Sequence, residues 1–266
     1  AGGQPSFCRR RFLFGTIGAG ASGAAAGAAL AHERAGHAES YPIRPPGSLP
    51  ERRFRQQCVR CGECFKVCPN NVLQPAGFEL GLDGLWTPKA VPDWAGCRPS
   101  CNNCGQVCPT GAIRALPLEE KLAARMGLAE VNKKTCLPYA GREDCRICVD
   151  ECAAAGYNAV EFIRIGGAVD DQGAPVEGSG YLAPVVLEDK CVGCGLCQTS
   201  CHSINVKGKK LLNHSAIEVS AGPGKEDRIS AGSYRDLRAE RLSRTKQAQP
   251  SQPEGSGNNY IPDFLR

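Results

Sequence analysis

Sixteen of the seventeen cysteines in this 266-residue chain fall into four runs, and every run closes with C-x3-C. Cys58, Cys61, Cys64 and Cys68 follow C-x2-C-x2-C-x3-C, with Pro69 next. Cys97, Cys101, Cys104 and Cys108 stretch the first gap by one residue and are followed by Pro109. Cys136, Cys145, Cys148 and Cys152 open that gap into a loop, and Cys191, Cys194, Cys197 and Cys201 restore the compact form. Ala153 and His202 stand where the first two runs have proline; proline bends the chain and is not a ligand, so its loss costs no site. Three thiolates at such spacing can wrap a short loop around three corners of an iron-sulfur cube. The fourth begins a helix that turns away, reaches another cube and makes the quartets work in pairs. Four quartets therefore predict four [4Fe-4S] clusters.

Other cysteine chemistries fit less well. Zinc sites read as separated C-x2-C pairs and lack a closing C-x3-C. Disulfides would favour scattered cysteines that staple distant loops, whereas these are crowded within each quartet. Covalent c-type haem needs C-x-x-C-H, and the stretch from Cys197 through Cys201 to His202 has one residue too many. The chain contains no P-loop, no H-E-x-x-H and only four histidines, so no independent catalytic site is expected. An electron-transfer subunit of an oxidoreductase complex is the expectation, with all ligands thiolates and potentials set by burial, charge and hydrogen bonds to sulfur. Arg60, Lys66 and Arg146 neighbour ligands in sequence, and surface solvation is their expected role.

The composition is 42% hydrophobic but only 6% aromatic, which does not favour a large conventional core. Bound clusters would supply much of the packing, their binding free energy becoming folding free energy, and the cluster-free chain is expected to be largely unfolded. The net charge of +5, with Arg52, Arg53 and Arg55 close together, reads as a solvated basic face. Aromatic stacking platforms are absent, so no nucleic-acid partner is expected.

The positioning elements are short. Residues 32–57 read as a proline-rich linker, stiffened by Pro42, Pro45, Pro46 and Pro50. Val72 and Leu73 start a short strand, and residues 74–96 form an irregular insertion in which Trp86 and Trp94 serve loop packing. A strand is predicted over 112–116. A helix is predicted from Pro117, with Glu119 and Glu120 in its first turn, Leu118, Leu122 and Met126 as its apolar stripe, and Gly127 as its stop. Strands at 160–165 and 181–187 flank a Gly-rich loop and predict a hairpin, and 216–219 adds a last strand. A strand after each quartet makes an internal repeat. The expected class is α+β, with two bacterial-ferredoxin-like pseudo-twofold modules over 58–219, short strands and helices around four clusters, and long irregular insertions. Residues 220–266 read as an extended tail. Its closing stretch from Tyr260 to Leu265 is either free or docks on a partner.

Residues 1–31 read as an address. Arg9, Arg10, Phe12 and Leu13 carry a twin-arginine-like pattern, 12–31 are uncharged and Gly/Ala-rich, and Ala29-Leu30-Ala31 offers a cleavage site. Cubes assembled before export suit a route that carries folded proteins. The expected location is periplasmic, with residues 12–31 either cleaved or kept as an inner-membrane anchor. Cys8, outside the quartets, is incidental. Gly18, Gly20 and Gly23 match G-x-G-x-x-G without a βαβ context, so no nucleotide site is expected.

Several stretches together resemble the NapG/MauM group of ferredoxin-type proteins, which includes the G subunit encoded with periplasmic nitrate reductases. They are Arg44-Pro45-Pro46-Gly47-Ser48-Leu49-Pro50, Cys108-Pro109-Thr110-Gly111-Ala112-Ile113, Ala124-Arg125-Met126-Gly127, Thr135-Cys136-Leu137-Pro138-Tyr139 and Asp189-Lys190-Cys191-Val192-Gly193-Cys194-Gly195. The resemblance implies four [4Fe-4S] clusters, twin-arginine export and electron transfer in a membrane complex. It places the chain between a membrane quinol dehydrogenase and a periplasmic reductase or multihaem cytochrome. The alternatives are a ferredoxin subunit bound to a molybdopterin catalytic subunit, or an accessory maturation protein. Related four-cluster subunits nest their quartets, which would group Cys58, Cys61, Cys64 with Cys201 and Cys191, Cys194, Cys197 with Cys68. The inner pair would group Cys97, Cys101, Cys104 with Cys152 and Cys136, Cys145, Cys148 with Cys108. Consecutive pairing is the alternative.

Overall fold

A computed structural model describes residues 41–168, 170, 176 and 178–248. The twin-arginine pattern, the signal or anchor, Cys8, the glycine pattern and the closing 260–265 stretch lie outside the described residues. In chain order the elements are α1 (Glu51–Gln57), α2 (Glu63–Lys66), β1 (Leu73–Pro75), a 3-10 turn at Phe78–Leu80 running into α3 (Gly81–Gly84), and β2 (Pro88–Ala90). Then come α4 (Asn103–Gln106), α5 (Leu118–Ala123), β3 (Leu128–Val131), α6 (Ile147–Ala154), β4 (Val160–Ile165) and β5 (Tyr181–Val186). The series ends with α7 (Leu196–Cys201), a π-helix at His202–Gly208, β6 (Ile217–Ser220) and α8 (Tyr234–Ala248). Among the described residues no helix is long and apolar enough to cross a membrane.

Each quartet makes a helix that starts one residue before its third cysteine, not at the fourth as expected. Proline then sets the length. Pro69 and Pro109 cannot continue a helix, and α2 and α4 stop after four residues. Ala153 and His202 can, and α6 runs eight residues while α7 passes directly into the π-helix.

The chain folds as two halves of one pattern. In the first, β1 and β2 form an antiparallel hairpin between quartets one and two, and a bridge from Ser48 to Ile113 joins the entering chain to the leaving one. In the second, the β4–β5 hairpin lies between quartets three and four, and β3 pairs antiparallel with β6 across the ends. The expected strand at 112–116 is reduced to that bridge. Leu116 gives its carbonyl to the side-chain amides of Asn102 and Gln106, at 2.8 and 3.2 Å, instead of to a neighbouring strand.

The predicted helix from Pro117 ends at Ala123, short of Met126. Tertiary bonds divert the chain there: the Met126 N–H donates to the Val192 carbonyl at 2.9 Å, and the Arg125 carbonyl accepts from the Asp227 N–H at 2.9 Å. Met126 thus joins the main core with Val192, not a helical stripe.

The described portions of the stretches read as linker and tail, residues 41–57 and 220–248, are parts of the fold. Arg44 is 1% exposed; its guanidinium donates to both Glu51 oxygens, at 3.0 and 2.6 Å, to Thr87 Oγ1 and to the Pro88 carbonyl, above the Phe54 ring. Arg228, from the supposed tail, also reaches Glu51 and donates to the Pro42 carbonyl at 2.8 Å. Beyond it Tyr234 is fully buried in a small core with Leu116, Ala123 and Ala124, and α8 lies along α5. The anchors of α8 are polar: Glu120 accepts from Ser233 Oγ and the Tyr234 N–H, and Arg238 donates to the Leu122 and Lys190 carbonyls. An apolar period does not register such a helix. Trp86 and Trp94, expected to pack, are 65% and 67% exposed.

Burial pushes the Glu51 pKa up, but hydrogen bonds and charge from Arg44, with Arg55 and Arg228, outweigh it and hold it at about 2, below the ordinary 4.5. A carboxylate depressed in this way stabilises the fold above pH 4.5, and the contribution fades as pH falls towards 2. Glu51→Gln should cost about 2 kcal/mol at neutral pH after allowance for solvent screening. Hydrogen exchange across residues 41–57 should show the variant opening more often at pH 7, with the gap to the parent closing below pH 4.5.

Candidate metal centres

The structure gathers the sixteen quartet cysteines into four cavities, each lined by four thiols. Cys58, Cys61 and Cys64 stand with Cys108, and Cys97, Cys101 and Cys104 stand with Cys68. Cys136, Cys145 and Cys148 stand with Cys201, and Cys191, Cys194 and Cys197 stand with Cys152. Consecutive quartets therefore exchange their fourth thiols, and the nested grouping is corrected: Cys201 does not join the first cavity, Cys68 the fourth, Cys152 the second or Cys108 the third. The hairpins supply the reason. Each turns the chain straight back, so the second helix of a half lies beside the first after a short loop closure.

Local geometry makes the exchange unavoidable. A four-residue step along a helix is about 6 Å, so the fourth cysteine stands one turn beyond its own cavity. The contact between the two helices of a half places that thiol against the loop of the neighbouring quartet. The loops curl by left-handed residues: in the first quartet Arg60 and Gly62 have φ of 58° and 79°, and in the fourth Gly193 and Gly195 have 65° and 84°. Arg60 holds this unfavourable backbone while its guanidinium donates to the Leu85 and Asp83 carbonyls at 2.9 and 2.8 Å, tying the Trp86 loop to the first cavity. Lys66 pairs with Glu63 and Arg146 with Asp150 on the surface, in the solvating role expected of them.

About 340 to 380 Å³ of atom-free space, part of it open solvent at the mouth, lies at each cavity. Among the described residues no three His, Cys, Asp or Glu side chains are placed to hold a single metal ion. A lining of four cysteines is the donor set that a [4Fe-4S] cluster takes. Burial first, then neighbouring thiols, pushes the Cys64 pKa up to about 12 against Cys58, Cys61 and Cys108. Burial likewise pushes Cys136 up to about 11, beside Cys145 and Cys201, and raises Cys148. Four crowded thiolates need a cation among them. Backbone N–H groups of Ile113 and Ala159 already point at Cys108 and Cys152 sulfur, at 3.4 and 3.2 Å.

The cavities are neighbours in a definite order. The first and second share the exchange of Cys68 and Cys108, and the third and fourth that of Cys152 and Cys201. The halves meet where the Cys97 N–H donates to the Cys194 carbonyl at 2.7 Å. There Gly96 lies against Leu196, and Thr199 Oγ1 donates to the Pro92 carbonyl at 2.6 Å. The succession is first, second, fourth, third.

Sequence reasoning missed two polar residues at these sites. Lys121, 3% exposed, donates to the Arg98 and Pro99 carbonyls and sets its ammonium beside Cys97. Asn205, 2% exposed, lines the third cavity. Asn205 was detectable as an amide one helical turn after Cys201, whereas Lys121 looked like an ordinary helix-surface lysine.

Residues 55–74 match the family model described as a 4Fe-4S binding domain. The chain is 35% identical over 199 residues to a methylamine utilization ferredoxin-type protein MauM of Paracoccus denitrificans, covering 70% of this chain and 77% of the relative. The MauM protein of Methylorubrum extorquens is 36% identical over 234 residues, 84% of this chain and 95% of the relative. The ferredoxin-type protein NapG of Escherichia coli is 33% identical over 205 residues, 74% of this chain and 83% of the relative.

A Cβ added at Gly96 would lie 2.7 Å from the Leu196 Cα, a backbone atom that cannot swing away. Gly96→Val should therefore pry the halves apart at a cost of about 1–3 kcal/mol. Thermal unfolding should fall accordingly, and hydrogen exchange should speed up at the Cys97 amide while leaving the β4–β5 hairpin amides unchanged.

Proposed function

Because the chain belongs to the MauM/NapG family of ferredoxin-type proteins, we propose that it is an exported electron-transfer protein carrying four [4Fe-4S] clusters, one in each thiol-lined cavity. The observation that carries this reading is the reciprocal placement of the fourth thiols, which completes four sets of four cysteines, one set lining each cavity. One-electron exchange is the chemistry such clusters supply when bound. The chain's part is to hold ligands, exclude water and set potentials. The thiolates of each set ligate, the Ile113 and Ala159 amides relieve charge on Cys108 and Cys152, and the Lys121 ammonium favours added negative charge beside Cys97.

The succession of cavities supports a relay with the first and third as its two ends. Cys61 is the exposed member of the first set, which suits exchange with a partner at that end. The twin-arginine-like residues Arg9 and Arg10 support export to the periplasm, with the 12–31 stretch as signal or inner-membrane anchor. In that compartment the protein would pass electrons from a membrane quinol-oxidising partner to a periplasmic reductase or cytochrome. The relatives named NapG and MauM support a place in such a complex.

Anaerobic purification followed by iron and sulfide analysis tests the assignment, with about sixteen iron atoms per chain expected. Zinc in place of iron, or far fewer than four clusters, would overturn it. Cys68→Ser should perturb or remove the cluster of Cys97, Cys101 and Cys104, lowering iron by up to about a quarter, and leave the cluster of Cys58, Cys61 and Cys64 intact by EPR. Loss of the latter alone would refute ligand exchange.

A further inference from the structure

The third cavity contains a polar side chain that the ligand set does not require. Asn205 lies in the π-helix His202–Gly208, four residues beyond Cys201 and so on the same side of the helical segment. Its Nδ2 stands 3.7 Å from Cys145 Sγ and 3.8 Å from Cys201 Sγ, within reach of two sulfurs from different quartets. The side chain is 2% exposed, and its Oδ1 has no hydrogen-bond partner among the described residues. Sulfur lone pairs accept and do not donate to an amide oxygen, so this orientation, with N–H towards thiolates, is the one the cavity favours.

The surrounding structure keeps the amide there. The Asn205 carbonyl accepts from the Leu211 and Leu212 N–H groups at 2.8 and 3.1 Å, which pins the backbone beyond the π turn. The Lys209 N–H donates to the Ile204 carbonyl at 2.7 Å, the five-residue step of a π turn. Lys209 Nζ reaches Glu143 at 2.7 Å, within the eight-residue gap that separates Cys136 from Cys145. The wide gap of the third quartet thus receives a segment delivered by the fourth. A π turn is less favourable than an α turn, and here it carries a buried amide to two ligand atoms.

We propose that Asn205 is a positioning and potential-setting residue for the cluster held by Cys136, Cys145, Cys148 and Cys201, donating its side-chain N–H to ligand sulfur and raising that cluster's reduction potential. The proposal rests on the four-cluster reading. Reduction adds negative charge, which a donor at sulfur stabilises more in the reduced than in the oxidised state. The end of the relay formed by the third cavity would then hold an electron more readily than its thiolates alone allow.

The test is an EPR-monitored redox titration of the whole protein and of Asn205→Leu, which keeps the volume and removes the donor. The signal followed is the one that Cys201→Ser alters. Its midpoint should move to more negative potential, so that at the parent's midpoint the reduced-to-oxidised ratio falls about fivefold, while the other three signals stay put. An unchanged midpoint with full iron content, or an equal shift of all four signals, would overturn the proposal. Should Asn205→Leu fail to retain that cluster, the parent protein labelled with 15N in asparagine side chains decides: 15N coupling to the reduced signal upholds the contact and its absence refutes it. Iron analysis of the parent separates the two levels, because a parent without four clusters defeats the functional reading, and a fully loaded parent without coupling or shift defeats the role of Asn205 alone.

Discussion

Four residues that begin in a helical turn separate the third cysteine of every quartet from the fourth, and that step organises the molecule. A thiol displaced by about 6 Å cannot serve the same small space as the three before it. It has to be received by another loop, and another loop has to return the favour. Each half is consequently a reciprocal pair, and anything bound at one cavity ties together two segments that are far apart in sequence. The hairpins β1–β2 and β4–β5 bring the receiving loops into place, while the Ser48 bridge and the β3–β6 pair close the ends.

Crowding so many sulfurs into buried positions leaves little apolar volume, and polar contacts carry much of the remaining load. The main core includes cysteines alongside small aliphatic residues. Around it, Arg44, Glu51 and Arg228 connect the entry of the chain, its first helix and a segment near its end through buried or half-buried ion pairs. Such pairs add less net stability than their number suggests, but loss of one partner leaves a buried charge and is costly. The same economy of apolar contacts governs α8, which is seated by Glu120, Asp227 and main-chain carbonyls around the single buried ring of Tyr234.

The seam between halves has the opposite character. Gly96, Gly193 and Gly195 sit where backbone meets backbone or a proline ring, and a side chain at any of them would collide. This close approach brings the second and fourth cavities together and leaves the first and third at the ends of the succession. Lys121 beside Cys97 and Asn205 beside Cys145 and Cys201 then make two of the sites electrostatically unlike the rest. Graded potentials along a relay require differences of this kind, because identical thiolate sets would otherwise be tuned alike.

The spacing of the sixteen cysteines by itself determined the chemistry, since ligand type and gap length are local properties of the chain. The apolar runs on either side of a Gly-rich loop also showed the β4–β5 hairpin, whereas β2 fell inside residues 74–96, read as an irregular insertion because its three residues are too few to set a period; the family resemblance lay in contiguous motifs. The partner of each fourth thiol was decided only in three dimensions, because the helical offset requires a second loop but does not say which. Arg44 and α8 escaped notice for a related reason: Arg44 is buried by polar contacts that include Glu51 and Thr87, α8 is seated by hydrogen bonds to Glu120 and to the Leu122 and Lys190 carbonyls, and no periodicity records such long-range polar contacts. The helix predicted to reach Met126 stopped at Ala123 because the Val192 carbonyl, from the other half, took the Met126 N–H. Asn205 shows the same division, in that its place one turn after Cys201 is local, while its reach to Cys145 exists only once the halves of the second module are folded together.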